Sequence, residues 1–522
     1  MKRITFSIAL AAFSGVAFAQ KDIIKAEREF YNVTSVATPE SEVLEVSGLE
    51  LLPDGKLAVA TRRGEIWMAA IPAPSSTAVS AVGPAGVPPA ASGGTPNVPT
   101  GGTPVLQPKW TRFAAGLHEP LGISFSNGWL WATQRPEVTR MRDSDGDGKA
   151  DVFETVAAPW GINGDYHEYT FGARSPKDGS IWNTLCLTGS GGSSSLFRGW
   201  VMRVSPDGKS EALATGVRSP GGIGFAPDGE VFYTDNQGPW NGSSSLKHVK
   251  VGSFQGNPTG LNSFEAAAKR GISTAPIAKK PTTPKSGSRI DTERGTVEEF
   301  VPPAVVLPHG IVGHSPTGMC FDLTGKFGPF KGQLFVGEQT FSNIQRVFLE
   351  KVNGVYQGAV FHFLSGFGSG NIATLMTSDG VLYTGGSDRG WGAKGGKPFA
   401  LERAAWNGKM PFEIHEMRAK ADGFELTFTQ PADAKTAADT ASYSVSSWTY
   451  IYQSSYGSPE VDKCDVKVVA ATVAADGKSV MLKLDKLTKG HVHAVTAAGV
   501  KNVEGKGLLH AAGYYTLNEI PN

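Results

Sequence analysis

The sequence predicts an all-β protein, a six-bladed β-propeller followed by a C-terminal immunoglobulin-like β-sandwich. Two observations carry that expectation. A hairpin unit recurs six times along the first four hundred residues, and after Gly396 it gives way to short alternating strands. Composition agrees with both: 65 Gly and 33 Pro interrupt a chain that also holds 27 Phe, 11 Trp and 12 Tyr, turn formers mixed with bulky strand formers. A chain of 522 residues also exceeds what one hydrophobic core organises.

Each unit runs from small residues into an apolar strand, an Asp-Gly or Asn-Gly turn in most copies, and a second strand rich in aromatic and β-branched residues. The copies are Ser47 to Trp67 with Asp54-Gly55, Pro120 to Arg140 with Asn127-Gly128, and His167 to Leu187 with Asp178-Gly179. Ser219 to Tyr233 with Asp228-Gly229, Ser315 to Phe348, and Asn371 to Gly385 with Asp379-Gly380 complete the set. Such dipeptides suit two-residue hairpins, because both turn positions need positive φ. The spacing, about 50 residues once two insertions are set aside, is that of one four-stranded blade. A sandwich of regular hairpins is the competing topology.

The propeller is expected over residues 40–405, with mobile insertions at 72–105 and 276–288, both too poor in periodic apolar residues to build a core. The sandwich is expected over 412–518, on strands such as Phe424 to Phe428 and Ser479 to Leu484. Only Phe264 to Lys269 reads as a helix.

Residues 1–19 read as a signal peptide. Lys2 and Arg3 precede an apolar run from Ile4 to Phe18, and Ala17-Phe18-Ala19 offers a small-residue cleavage site. A periplasmic or secreted location follows, with no membrane span, because no other segment approaches the roughly 20 apolar residues a span needs. A formal charge of +1 without long basic runs excludes nucleic acid and membrane surfaces as electrostatic partners. Cys186, Cys320 and Cys464 allow at most one disulfide, and three buried thiols is the simpler expectation.

Two constellations carry chemistry. The first is Asp143-Ser144-Asp145-Gly146-Asp147-Gly148-Lys149-Ala150-Asp151-Val152-Phe153-Glu154. It places acidic side chains at loop positions one, three, five, nine and twelve, glycine at six, and the Lys149 carbonyl at seven, the oxygen-rich pattern of a calcium loop. Asp143, Asp145, Asp147, Lys149, Asp151 and Glu154 are the expected metal ligands. Without flanking helices, the loop is expected to act as a staple between two blades. The second constellation is His167 with Arg218, each opening a blade, and the segment Thr234 to Pro239. Residues at blade openings sit near the central channel, where a neutral His serves as general base and an Arg steadies developing negative charge.

On these motifs the stretch from Gly48 to Gly392 resembles the soluble quinoprotein glucose and sorbosone dehydrogenases, six-bladed propellers that use pyrroloquinoline quinone and calcium. The resemblance implies that His167 is the base, that Arg218 lies beside the substrate, and that Gln237, Gly238 and Pro239 flank the cofactor, the last two lending backbone carbonyls to its calcium. It also implies Lys and Arg from the last two blades on the cofactor's carboxylates. The matching stretches read Thr340-Phe341-Ser342-Asn343 and Gly368-Ser369-Gly370-Asn371, with Arg346 and Arg389 nearest but out of register. Arg389 is taken as the cofactor-binding residue of the two. The reaction implied is oxidation of a sugar or related alcohol, with a separate cytochrome as electron acceptor.

Two other functions fit the same residues. One is a non-catalytic, calcium-stabilised propeller that binds carbohydrate or a protein partner, with Trp160, Trp240 and Trp391 at the channel mouth. The other is a lactonase-type propeller with a central metal held by Asp235, Asn236 and Glu338.

Overall fold

The computed structural model describes residues 21–72, 104–189, 191–270, 273–274, 276–390 and 392–522. The expected signal peptide, most of the first insertion and Trp391 lie outside them. Among the described residues no helix is long and apolar enough to cross a membrane.

Six four-stranded antiparallel units follow one another. Blade 1 is Val46–Leu51, Leu57–Thr61, Ile66–Ala70 and Lys109–Ala114; blade 2 is Ile123–Ser126, Trp129–Thr133, Val138–Arg142 and Val152–Ala157. Blade 3 is Thr170–Arg174, Ile181–Leu185, Trp200–Val204 and Ser210–Thr215; blade 4 is Pro220–Phe225, Val231–Asp235, Ser244–Val249 and Pro303–Leu307. Blade 5 is Pro316–Phe321, Leu334–Glu338, Asn343–Val352 and Val355–Leu364. Blade 6 takes Ala373–Met376, Val381–Ser387 and Phe399–Trp406 and borrows its fourth strand, Tyr31–Val36, from the start of the described chain. The first strands touch in order round a ring, and that of blade 6 returns to that of blade 1. That closed ring is a six-bladed propeller. It begins at Tyr31 rather than at the expected residue 40, because Tyr31–Val36 pairs antiparallel with Phe399–Trp406 and closes the circle.

Second strands are buried on both faces, as in Leu57–Thr61, Ile181–Leu185, Val231–Asp235 and Leu334–Glu338, because each lies inside a blade clasped by its neighbours. Between blades 4 and 5, for example, Phe232, Leu246 and Val305 pack on Met319, Leu334 and Val336. Burying each large apolar side chain in this way stabilises the ring by about 1.5–3 kcal/mol.

The turn expectation needs correction. Of the Asp-Gly and Asn-Gly turns in the recurring units, only Asn127-Gly128, at φ 52° and 76°, makes a two-residue hairpin, between the paired Ser126 and Trp129. The Asp-Gly turns are longer. Leu52 and Ala226 donate to the carbonyls of Lys56 and Glu230, so Pro-Asp-Gly fills a three-residue loop. Glycine alone takes the left-handed position there, at φ 82° for Gly55 and 80° for Gly229. The aspartates accept the backbone N–H two residues on, Asp54 from Lys56 and Asp228 from Glu230.

Beyond Gly396 two four-stranded sheets pack together. One is Ile414–Lys420, Gly423–Phe428, Ser479–Leu484 and Val468–Val473. The other, Ala512–Leu517, His491–Thr496, Ser444–Tyr450 and Glu460–Val466, continues the sheet of blade 5, because Ala512–Leu517 pairs with Val355–Leu364. A shared core of Phe412, Met417, Phe424, Leu482, Val495 and Tyr515 fills the space between the sheets.

Two devices fix this unit to the propeller. Arg346, fully buried, donates to the carbonyls of Ile414 and His415 and lies over the rings of Phe330 and Phe361. It is therefore a joint between domains and not a cofactor ligand. His510 sits between Glu413, at 2.7 Å, and Glu27, at 3.2 Å, and these carboxylates push its imidazole up to about 10 against the effect of burial. Nor is Pro276 to Ser288 the free insertion its composition suggests. Ile277 is 3 % exposed, and Ser288 accepts the Tyr452 N–H. The segment Ser263–Lys269 is helical, as are the short Ile290–Arg294 and Ala434–Ala438, which no sequence signal marked.

Candidate functional site

A cavity of about 280 Å³ opens on the ring's axis. Residues from all six blades and one from the C-terminal unit line it. Arg62, Arg218 and Arg389 are there with His167, His309 and His314, and among the described residues no Asp or Glu lines it.

His167 opens blade 3 and is 7 % exposed. Its Nδ1 lies 2.8 Å from the Leu187 carbonyl, which only accepts, so Nδ1 carries the proton. The bare Nε2 then accepts from the Ser219 hydroxyl at 3.1 Å. Burial, then the charge of Arg218, pushes the imidazole down to about 4, so it stays neutral at ordinary pH. Asp165 holds the preceding turn by accepting the N–H of His167 and of Gly189, each at 2.8 Å.

Arg218 opens blade 4. Its guanidinium lies 5.1 Å from the centre of the Tyr456 ring and against the backbone of Gly238. A Cβ there would come within 2.1 Å of Nε, so a side chain at 238 would displace the guanidinium from this position. Asp235 accepts the Ser219 N–H at 2.7 Å, that of Arg218 at 3.3 Å, and the Lys247 ammonium at 2.9 Å. Its carboxylate is spent on holding the loop that carries Arg218 and Ser219.

Of the expected cofactor ligands, Gln237 and Arg389 line the cavity, whereas Gly238 and Pro239 do not. Their carbonyls are engaged elsewhere. That of Gly238 accepts the Gly457 N–H at 3.1 Å, and that of Pro239 accepts Asn257 Nδ2 at 2.9 Å.

The central metal site expected for a lactonase is absent from the described residues. Glu338, fully buried, accepts the backbone N–H groups of His314, Ser315 and Phe341, as Asp235 does for its own loop. The tryptophan-lined mouth is corrected too. Trp160 is buried and donates to the Arg135 carbonyl, and Trp240 packs on Tyr452.

The acidic loop joins the third and fourth strands of blade 2. It leans on blade 1 through a 2.8 Å bond from the Ala150 N–H to the Phe113 carbonyl. Asp143, Asp145 and Asp147 bring carboxylate oxygens within 4.8 Å of one another. Backbone N–H groups, first that of Gly148, hold the Asp143 carboxyl below its ordinary range. Asp151 is bound to Ser144, and Lys149 donates its N–H to Asp147. Glu154 is not a ligand. It lies in the outer strand, Val152–Ala157, and pairs with Arg140 at 2.6 Å.

The cavity also holds residues that no sequence signal marked. Arg62, from blade 1, shares the buried Glu119 with Arg135 at 2.7 and 2.5 Å and donates to the Tyr169 hydroxyl. Glu119 sits at φ 48°, a left-handed conformation that costs a side-chain-bearing residue about 1–2 kcal/mol and that its two ion pairs hold. His309 and His314, from the loop before blade 5, stack with ring centres 4.2 Å apart. Burial, with His314 beside it, brings His309 down to about 4, and its Nδ1 is buried without a hydrogen-bond partner.

Residues 107–354 match a family described as a domain of unknown function, DUF7133. No curated protein matches the sequence. Among solved structures the chain is similar to the PQQ-bound form of an aldose sugar dehydrogenase from Streptomyces coelicolor, at 16 % identity and TM-score 0.47 over 72 % of this chain and 98 % of that one. It is similar to the apo-form of a soluble aldose sugar dehydrogenase from Escherichia coli, at 15 % identity and TM-score 0.41 over 72 % and 99 %. It is also similar to the PQQ domain of a pyranose dehydrogenase from Coprinopsis cinerea, at 13 % identity and TM-score 0.45 over 72 % and 95 %.

Proposed function

We propose that this is an exported dehydrogenase of sugars or related alcohols that works with pyrroloquinoline quinone and passes its electrons to a separate protein. The observation that carries this reading is His167, a neutral imidazole whose proton is fixed on Nδ1 and whose bare Nε2 lies at a cavity beside an arginine. That is the arrangement of a general base for a hydroxyl proton.

The lining suits an anionic, planar cofactor. Arg218 and the half-exposed Arg389 line a cavity that no Asp or Glu lines among the described residues and would attract acidic groups, and Gln237 and Gln339 offer amides. In ring order, blade 6 stands opposite blade 3, so Arg389 comes from across the ring from His167 and would hold a carboxylate of the cofactor, while Arg62 is engaged by Glu119 and the Tyr169 hydroxyl. When bound, the quinone supplies the acceptor for a hydride. His167 takes the hydroxyl proton at Nε2 as a substrate hydroxyl replaces that of Ser219. Arg218 steadies the negative charge that develops on the substrate oxygen.

The loop of Asp143, Asp145 and Asp147, with the Lys149 carbonyl, binds calcium on this reading and stiffens blade 2 where it meets blade 1. Chelation is expected to lower the melting temperature, and Asp145→Asn to abolish that response. The paired C-terminal sheets fit an immunoglobulin-like sandwich.

The test is titration of the calcium-loaded protein with pyrroloquinoline quinone, followed by dye reduction with a panel of aldoses. Saturable binding and reduction that His167→Ala removes without loss of cofactor affinity support the reading. No binding at high micromolar cofactor overturns it and leaves a carbohydrate-binding propeller.

A further inference from the structure

The C-terminal unit reaches into the cavity. Its segment 451–458 is fixed to the propeller on both sides: the Trp240 N–H donates to the Gln453 carbonyl at 2.7 Å, that of Gly457 to Gly238 at 3.1 Å, and that of Ser458 to Gly242 at 3.0 Å. Tyr452, 1 % exposed, anchors it through a hydrogen bond to the Gly256 carbonyl. Tyr456, between these anchors, is 61 % exposed and lines the cavity beside Arg218. A large ring left open to water on a well-held loop has an unfilled apolar face.

Asn236 lines the same cavity. Its Nδ2 donates to the Ser219 carbonyl at 3.0 Å and approaches that of Pro316 at 3.5 Å, which fixes the amide's orientation. Its Oδ1 is buried with no partner. An orphaned buried acceptor carries a free-energy penalty that a ligand's hydroxyl relieves. One kind of molecule satisfies both features: a ring with apolar C–H faces and hydroxyl edges.

We infer that Tyr456 and Asn236 together select pyranose sugars. Tyr456 stacks on a face of the sugar ring, and Asn236 Oδ1 accepts one of its hydroxyls. The C-terminal unit thereby decides which alcohol the propeller takes. The inference names the substrate class of the dehydrogenase reading, and for turnover it rests on that reading.

Calorimetric titration of wild type, Tyr456→Ala and Tyr456→Phe with aldopyranoses and with glycerol, without cofactor, separates the two. Tyr456→Ala is expected to weaken pyranose binding about tenfold and to leave glycerol and the melting temperature unchanged, while Tyr456→Phe behaves as wild type. In dye-linked assays the same loss appears in KM, with kcat and cofactor affinity within about twofold. Equal losses for pyranose and glycerol, an unaltered pyranose affinity in Tyr456→Ala, or no pyranose binding to wild type would overturn the inference. Pyranose binding that depends on Tyr456, without dye reduction in the presence of cofactor, sinks the dehydrogenase reading and leaves the inference standing.

Discussion

The two walls of the cavity are built differently. On the side of blades 1 to 3, Arg62, Glu119 and Arg135 form a closed ionic network, and Arg135 also donates to the carbonyls of Asp165 and Tyr166, beside His167. On the side of blades 4 and 5, Asn236 Oδ1 and His309 Nδ1 are buried without partners. A saturated network holds its atoms in one place. Orphaned atoms leave free energy that a ligand's polar groups recover. The first wall therefore positions the base, and the second reads what enters.

That division can be broken at four points. The largest effect is expected from Glu119→Ala, which strands two buried arginines and should lower stability by about 3–5 kcal/mol in chemical denaturation. A loss under about 1 kcal/mol would show that the network is not what sets this wall. His167→Gln is next. It should cut turnover about 10²–10⁴-fold while the denaturation midpoint stays close to wild type.

The pH response tests both walls together. Because burial depresses His167 and His309 to about 4, kcat/KM should hold its acid limb near that value instead of near the ordinary imidazole value of about 6.5. Unfolded imidazoles take up protons first as pH falls. The stability these two residues contribute is thus present above about 6.5 and lost as pH drops toward and through about 4. Asn236→Ala should have the smallest effect on the fold, about 1 kcal/mol for its lost amide hydrogen bonds, with the larger consequence in sugar affinity. Comparable losses at Asn236 and Glu119 would erase the distinction between the walls.

Much of the ring was legible because each blade announces its inner hairpin. Asp-Gly and Asn-Gly mark the first two strands of five blades, whereas between third and fourth strands they recur only in the acidic loop of blade 2, as Asp207-Gly208 in blade 3 and as Asn353-Gly354 in blade 5. The closing strand Tyr31–Val36 escaped notice because its partner lies at the other end of the propeller. His167 and Arg218 were found because each opens a blade next to a recognisable turn. Arg62, His309, His314 and Tyr456 meet only through tertiary folding and stand in loops without a local pattern. Glu154 misled for the opposite reason. The loop spacing is that of a calcium site, but the chain enters a strand at Val152, and the pleat turns Glu154 toward Arg140. Asp235 and Glu338 misled in the same way, since their carboxylates are used up on neighbouring N–H groups.

Closure of the ring by its own beginning has a kinetic consequence. Asn407 reaches back to the Glu29 carbonyl across a sequence separation of 378 residues, and the strands beside that contact complete blade 6. Five blades can assemble from neighbouring hairpins, but the sixth must wait for two distant segments to find each other, and such non-local pairing is slow. Until it happens, both edges of the open ring present unpaired strands to any other chain nearby. Refolding should therefore be limited by a late docking step, and aggregation should compete with it more strongly as protein concentration rises.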